Sequence, residues 1–169
     1  MKFIAQKSQI DQPLMYAAAV AERRNTIPIL ANLRLSAKED KVEITATDLE
    51  IQIKTDSKIT SVEENGEITV SARKLSELFK SLPEKEELKF NLIDGKLRVN
   101  SNNFQADFAT LAASDFPEIE IQEELSIFNI QANRLKRLLT KTSFAMAAQD
   151  VRYYLNGLLL EVSNEEIKA

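Results

Sequence analysis

The chain has 169 residues, 44% hydrophobic and 28% charged, with a formal net charge of −4; this mix suits one or two packed domains rather than a disordered segment. With no histidine and no cysteine, it has no Ser-His-Asp or Cys-His pair, no disulfide and no thiolate or histidine metal site. Three scattered glycines, Gly66, Gly95 and Gly157, exclude a P-loop and a G-x-G-x-x-G turn. No apolar run approaches a membrane span, and the N-terminal Met-Lys-Phe-Ile-Ala-Gln-Lys is too short an apolar stretch for a signal peptide. Absence of cysteine fits a reducing cytoplasm, the expected location.

Spacing predicts a first helix from about Lys7 to Arg23, with Ile10, Leu14, Ala17 and Ala21 on one face and Pro13 obscuring its start. Strand-like runs follow at "TIPILANLRLSA", "KVEITATD", "EIQIKTDSKI" and "GEITVS". A second helix is expected at "ARKLSELFKSL", stopped by Pro83. Three more strands are "ELKFNLI", "KLRVNS" and "FQADFATL", the first two joined at Asp94-Gly95, a strong hairpin signal. The order β-α-β-β-β thus occurs in residues 1–60 and again in 66–111, an α+β fold built on an internal repeat.

A longer repeat appears at an offset of 125 residues. It carries the stripe Ile10, Pro13, Leu14, Ala17, Ala21 onto Leu135, Leu138, Leu139, Thr142, Met146, Phe3 onto Phe128, and "ILANLRL" onto "YLNGLLL". A first domain is therefore expected over residues 1–120, a linker over 121–126 and the start of a second domain over 127–169. The stretch "QDVRYYLNGLLLEV" reads as a helix-to-strand junction of that second copy, which ends at Ala169 in a hairpin. The expectation is a fragment of a longer protein.

The charges are segregated. Helical segments 7–24, 71–82 and 130–148 hold ten bases against Asp11, Glu22 and Glu77, a balance of +7, while the remainder totals −11. The third helix has no acid, and Arg134, Arg137 and Lys141 share one of its faces, away from Leu135, Leu138 and Leu139. Such a division draws phosphate backbones to one side and repels them elsewhere. Asp48 with Glu50, or Asp115, is what a carboxylate hydrolase would have to use; a turn and a solvated strand face account for these residues more simply.

"RNTIPILANL", "TDLEI", "SARKL", "DFP" and above all "QDVRYYLNGLLLE" resemble the bacterial β sliding clamps of DNA polymerase III, in order and spacing, over the whole chain. The resemblance implies the clamp fold, with helices on the inner face and antiparallel sheets on the outer face of a homodimeric ring around duplex DNA. It implies DNA contact by Arg24, Arg73, Gln149, Tyr153 and Tyr154, with Arg134, Arg137 and Lys141 adding to the basic face. Arg152, Tyr154 and Leu155 match the start of a pocket for short peptide motifs of the polymerase III core, the clamp loader and other partners. Lys74 and an edge strand with Phe104, Ala106 and Phe108 match the ring interface. Asn102, Asn103 and Gln105 depart from arginines common there.

Neither a cofactor nor a catalytic residue is implied; the chain would be a processivity factor that acts by topology. The rival is a nucleic-acid-binding domain that uses its basic helices without encircling anything.

Overall fold

Alternation of apolar and polar residues generates most of the architecture. The computed structural model describes residues 1–21, 27–119, 128–163 and 166–169, in two units, Met1–Glu120 and Ile121–Ala169. Unit 1 runs β1 (Lys2–Gln6), α1 (Lys7–Ala18), a 3-10 turn (Pro28–Ala31), β2 (Asn32–Lys38), β3 (Lys41–Thr47), β4 (Gln52–Lys58) and β5 (Ser61–Glu64). It continues with β6 (Gly66–Ser71), α2 (Ala72–Ser81), β7 (Glu87–Ile93), β8 (Lys96–Asn100) and β9 (Gln105–Leu111). All strand pairs are antiparallel, in the order β4-β3-β2-β6-β9-β8-β7-β1-β5.

That order shows a strand exchange between the two repeats. Each repeat forms a three-stranded meander, β2-β3-β4 or β7-β8-β9, and each meander is extended by the other repeat's first strand. β1 pairs with β7, and β6 with β2. Phe3 and Phe90 sit opposite each other in the first of these pairings and stack at 4.4 Å with nearly parallel rings, adding a directional aromatic contact to the ladder. Both helices follow an exchanged strand and fold back over the sheet, where Leu14, Leu75 and Phe79 join Leu33, Ile44, Val70, Leu88 and Val99 in one core. At the Asp94-Gly95 hairpin both residues have positive φ (49° and 71°), as a primed two-residue turn requires.

Three details of unit 1 differ from the sequence reading. α1 stops at Ala18 instead of reaching Arg23, because its last turn tightens, with Ala19 N–H donating to Tyr16 O and Val20 N–H to Ala17 O. Residues 28–31 of the expected strand wind into the 3-10 turn begun by Pro28. β5 was not anticipated; its polar "SVEE" has one apolar residue and pairs along β1, where Lys2 also meets Glu63 at 2.7 Å.

Pro13 lies inside α1, where it has no N–H to donate to the Gln9 carbonyl. The Ser57 hydroxyl of β4 supplies that bond at 2.5 Å. Gln9 also closes the start of the helix, its side chain accepting Gln6 N–H at 2.8 Å. The proline thus leaves a vacancy in the helix that the sheet fills.

After a 3-10 turn at Ala113–Asp115, the chain is fastened back onto the sheet. Phe116 is buried, Ile119 N–H donates to Gln52 Oε1 at 3.1 Å, and Glu118 pairs with Arg34, which also faces Glu43 at 4.0 Å.

Unit 2 contains α3 (Ala132–Thr142), 3-10 turns at Ser143–Ala145 and Tyr153–Asn156, and a hairpin of β10 (Glu161–Val162) with β11 (Ile167–Lys168). The 125-residue offset holds in three dimensions: Lys7 maps to Ala132, where α3 begins, and the turn Pro28–Ala31 maps to Tyr153–Asn156. The pairs Ser36↔Glu43 and Ala37↔Val42 map to Glu161↔Lys168 and Val162↔Ile167. The continuous strand expected after Tyr154 is limited to Glu161–Val162, since residues 157–160 have no ladder partner among the described residues. Ser57→Ala is expected to lower the unfolding free energy by about 1–2 kcal/mol with an unchanged urea m value; an unchanged midpoint would show that the hydroxyl does not support α1.

Candidate nucleic-acid interface

α2 is built to show charge on one side. Ser71 caps it, its Oγ accepting Lys74 N–H at 3.4 Å. Ala72, Leu75 and Phe79 face the core, so Arg73, Lys74, Glu77 and Lys80 face outward. Arg73 is 70% exposed, with Nε 4.0 Å from Glu77 Oε1. Arg73, Glu77 and Lys80 lie along one wall of an open groove of about 1010 Å³ between α1 and α2, with Leu14, Ala18 and Phe79 also lining it. Lys7, counted among the helix bases, is buried and paired with Asp11 at 3.3 Å; it adds nothing to an exposed basic face. Arg24 lies outside the described residues.

α3 repeats the pattern without an acid. Leu135, Leu138 and Leu139 are half-buried, while Arg134, Lys136, Arg137 and Lys141 are exposed. Thr142 Oγ1 donates to Leu138 O at 3.0 Å in the last turn, and Lys141 there suits the helix C-terminus.

The loop after α3 is cross-linked by one carboxylate and one amide. Asp150 N–H donates to Asn156 Oδ1 and Asn156 Nδ2 donates to Asp150 O, both at 2.9 Å. The Asp150 carboxylate accepts Arg152 N–H at 2.9 Å and its guanidinium Nε and Nη2 at 3.0 Å. These hydrogen bonds from Arg152 hold the Asp150 carboxyl below its usual value of 3.8 and raise the Arg152 guanidinium. Gln149 is exposed and adopts a left-handed φ of 58°, a conformation uncommon for a residue with a Cβ. Tyr153 and Tyr154 stand out at 83% and 66% exposure, edge to face with centroids 6.0 Å apart. Leu155 is half-buried, and its carbonyl accepts Ala147 N–H at 2.9 Å.

The structure thus gathers Gln149, Arg152, Tyr153, Tyr154 and Leu155 in one closed loop. The sequence reading missed Asn156, for which no local spacing gives a signal, and the Arg73–Glu77 pair, visible as an i, i+4 spacing. Phe108 of β9 is buried in the core, while Ala106 and Phe104, which precedes the strand, pack against that core and stay half-buried. β9 also offers backbone. It is an interior strand, joined to β6 at Thr110 and Leu111 and to β8 along Gln105–Ala109, so only the side of 105–109 away from β8 is unpaired. Arg98 and Asp107 pin that strand through two 2.8 Å bonds. Lys74 is exposed on α2.

The carboxylate alternative does not form a site. Asp48 Oδ1 accepts the N–H groups of Ile51 at 2.7 Å and Glu50 at 3.0 Å, holding its carboxyl below 3.8, the opposite of what a general acid needs. Asp115 accepts Ser114 Oγ in an exposed turn. Among the described residues no group of acids is arranged to hold a metal, and no helix is long and apolar enough to cross a membrane.

Strand-exchanged β-α-β-β-β repeats, helices on one side of an antiparallel sheet, and a following unit that begins in the same way define a duplicated α+β fold in which α2 and α3, though not α1, expose bases. The chain belongs to the DNA polymerase III beta subunit family: residues 1–120 match the model of its N-terminal domain and residues 129–169 that of its central domain. It is 41% identical over its whole length to the beta sliding clamp of Pseudomonas putida, covering 46% of that protein. With the Escherichia coli beta sliding clamp it shares 35% over 168 residues, 99% of this chain and again 46% of the relative. The crystal structure of the Pseudomonas aeruginosa DNA polymerase III subunit beta superposes with a TM-score of 0.91 at 41% identity, over 97% of this chain and 44% of that one. The Caulobacter crescentus pol III beta structure gives 0.90 at 34%, over 98% and 45%. The chain therefore spans less than half the length of the relatives it matches.

A depressed carboxyl contributes stability that is present above its unfolded value and lost as pH falls through its folded value. The Asp150 cross-link is accordingly expected to be intact at neutral pH and to open only below 3.8. Carboxyl NMR titration checks this; a midpoint at or above 3.8 would mean that Arg152 does not hold the loop.

Proposed function

We propose that this chain supplies the first domain (1–120), a connector (121–126) and the opening of the second domain (127–169) of a sliding clamp, which encircles duplex DNA and tethers the replicative polymerase. The observation that carries the reading is charge placement: α3 exposes only bases, α2 exposes three bases against Glu77, and the net charge of the chain is still −4. Bases gathered on the exposed sides of α2 and α3 in an acidic protein favour phosphate at each of these helices over the rest of its unit's surface. Membership of the beta subunit family supports it.

The mechanism is topological and non-catalytic. A closed ring stays on DNA because the duplex cannot pass through its wall, so its phosphate contacts need only be weak, sequence-blind and screened by salt. Arg24, Arg73, Arg134, Arg137 and Lys141 would meet the backbone. Gln149, Tyr153 and Tyr154 would add contacts from the cross-linked loop, whose locked geometry spares them the cost of ordering on binding. Tethering gives the polymerase a high effective concentration at the primer end. On this reading Arg152, Tyr154 and Leu155 open a pocket for peptide motifs of the polymerase core and clamp loader, and Lys74 with the free edge of β9 and its Phe104, Ala106 and Phe108 forms the ring interface by strand pairing. Asn102, Asn103 and Gln105 would make that interface less ionic. Action is expected in the cytoplasm, with ring opening done by an ATP-driven loader.

The decisive test loads the protein that carries this chain onto nicked circular DNA with a compatible loader and ATP, then linearises the circle. Retention on the circle and release on cutting is the expected result. Salt-dependent binding indifferent to cutting would instead establish a non-encircling nucleic-acid-binding domain. On linear duplex, Arg73→Ala, or Arg134→Ala with Arg137→Ala, is expected to weaken binding at low salt. Each lost phosphate contact should reduce the slope of log K against log salt by about 0.9; an unchanged slope would remove that residue from the interface.

A further inference from the structure

Glu77 is the one acid on α2 and α3, and it lies against Arg73. Helix stability does not explain the pair. Both side chains are more than half exposed, so their attraction is largely screened. The order is also the poorer one, with the base N-terminal to the acid, against the helix dipole. Arg73, Glu77 and Lys80 fall within about 60° of one another around the helix at 100° per residue, so the carboxylate stands in the middle of a basic row. A carboxylate there offers the Arg73 guanidinium the same kind of charge-assisted partner as a phosphate oxygen.

The geometry points to Glu77 as an internal competitor for Arg73, a carboxylate that receives the guanidinium whenever a phosphate leaves it. This inference rests on the DNA reading above and adds a residue that sets how loosely the helix holds the backbone. An arginine with no alternative partner loses a charge-assisted bond at each step along the duplex, which makes every step a barrier. An arginine that returns to a carboxylate within reach exchanges partners at nearly level energy. α3, which has no acid, lacks this device, so the two helices would differ in how much drag each contributes.

The test measures binding of the full chain to a fluorescein-labelled duplex of about 30 base pairs, by anisotropy at about 50 mM salt, for wild type, Glu77→Gln, Arg73→Ala and the double variant. Glu77→Gln is expected to bind about two- to five-fold tighter, matching the usual strength of an exposed ion pair. That gain is expected to vanish in the Arg73→Ala background. Unchanged or weaker binding by Glu77→Gln overturns the inference while Arg73→Ala still weakens binding. A gain that persists without Arg73 also overturns it, since the carboxylate would then act through net charge alone. If Arg73→Ala and the Arg134→Ala, Arg137→Ala pair both bind like wild type, the DNA reading itself falls. Both positions are exposed, so matching thermal melts are expected to show that each variant folds.

Discussion

The exchange of first strands between the two repeats is the constraint on which unit 1 depends. β1 has its principal ladder on β7 and β6 has its own on β2, so neither meander has a complete sheet without the other repeat. Because each helix follows an exchanged strand, the same pairing delivers α1 and α2 side by side onto one face. Burial of Phe3, Leu14, Leu75, Phe79 and Phe90 then locks both crossings into one core. The basic row of α2 is exposed because its opposite stripe has been used up in this way.

Local pattern carried much of this. Alternation identified β3, β6, β7, β8 and β9 to within a residue or so, and Asp94-Gly95 marked its hairpin, because those signals depend on pleat and φ alone. The offset of 125 residues also preserved helix start, 3-10 turn and hairpin register, since a duplicated fold keeps its spacing where its side chains diverge. Pairing partners were not legible. "SVEE" becomes a strand only because β1 has a free side, and Leu158 to Leu160, though apolar enough for a strand, have no described ladder partner.

For the candidate interface, charge segregation was readable and charge neutralisation was not. Counting bases by helix includes Lys7, which folding buries against Asp11. Alternation in "FQADFATL" placed Phe104, Ala106 and Phe108 on one face without saying which way that face points. Arg152, matched in sequence only to a peptide pocket, is also the clasp of its own loop. Each of these facts depends on residues brought near by folding, or on direction relative to a core, and periodicity encodes neither.

The fastening of the chain after Asp115 has a mechanical consequence. Phe116 is buried, and Glu118 and Ile119 are held by Arg34 of β2 and Gln52 of β4. Tension arriving along the segment beyond Ile119 therefore enters unit 1 through the sheet, where cooperative backbone ladders share the load.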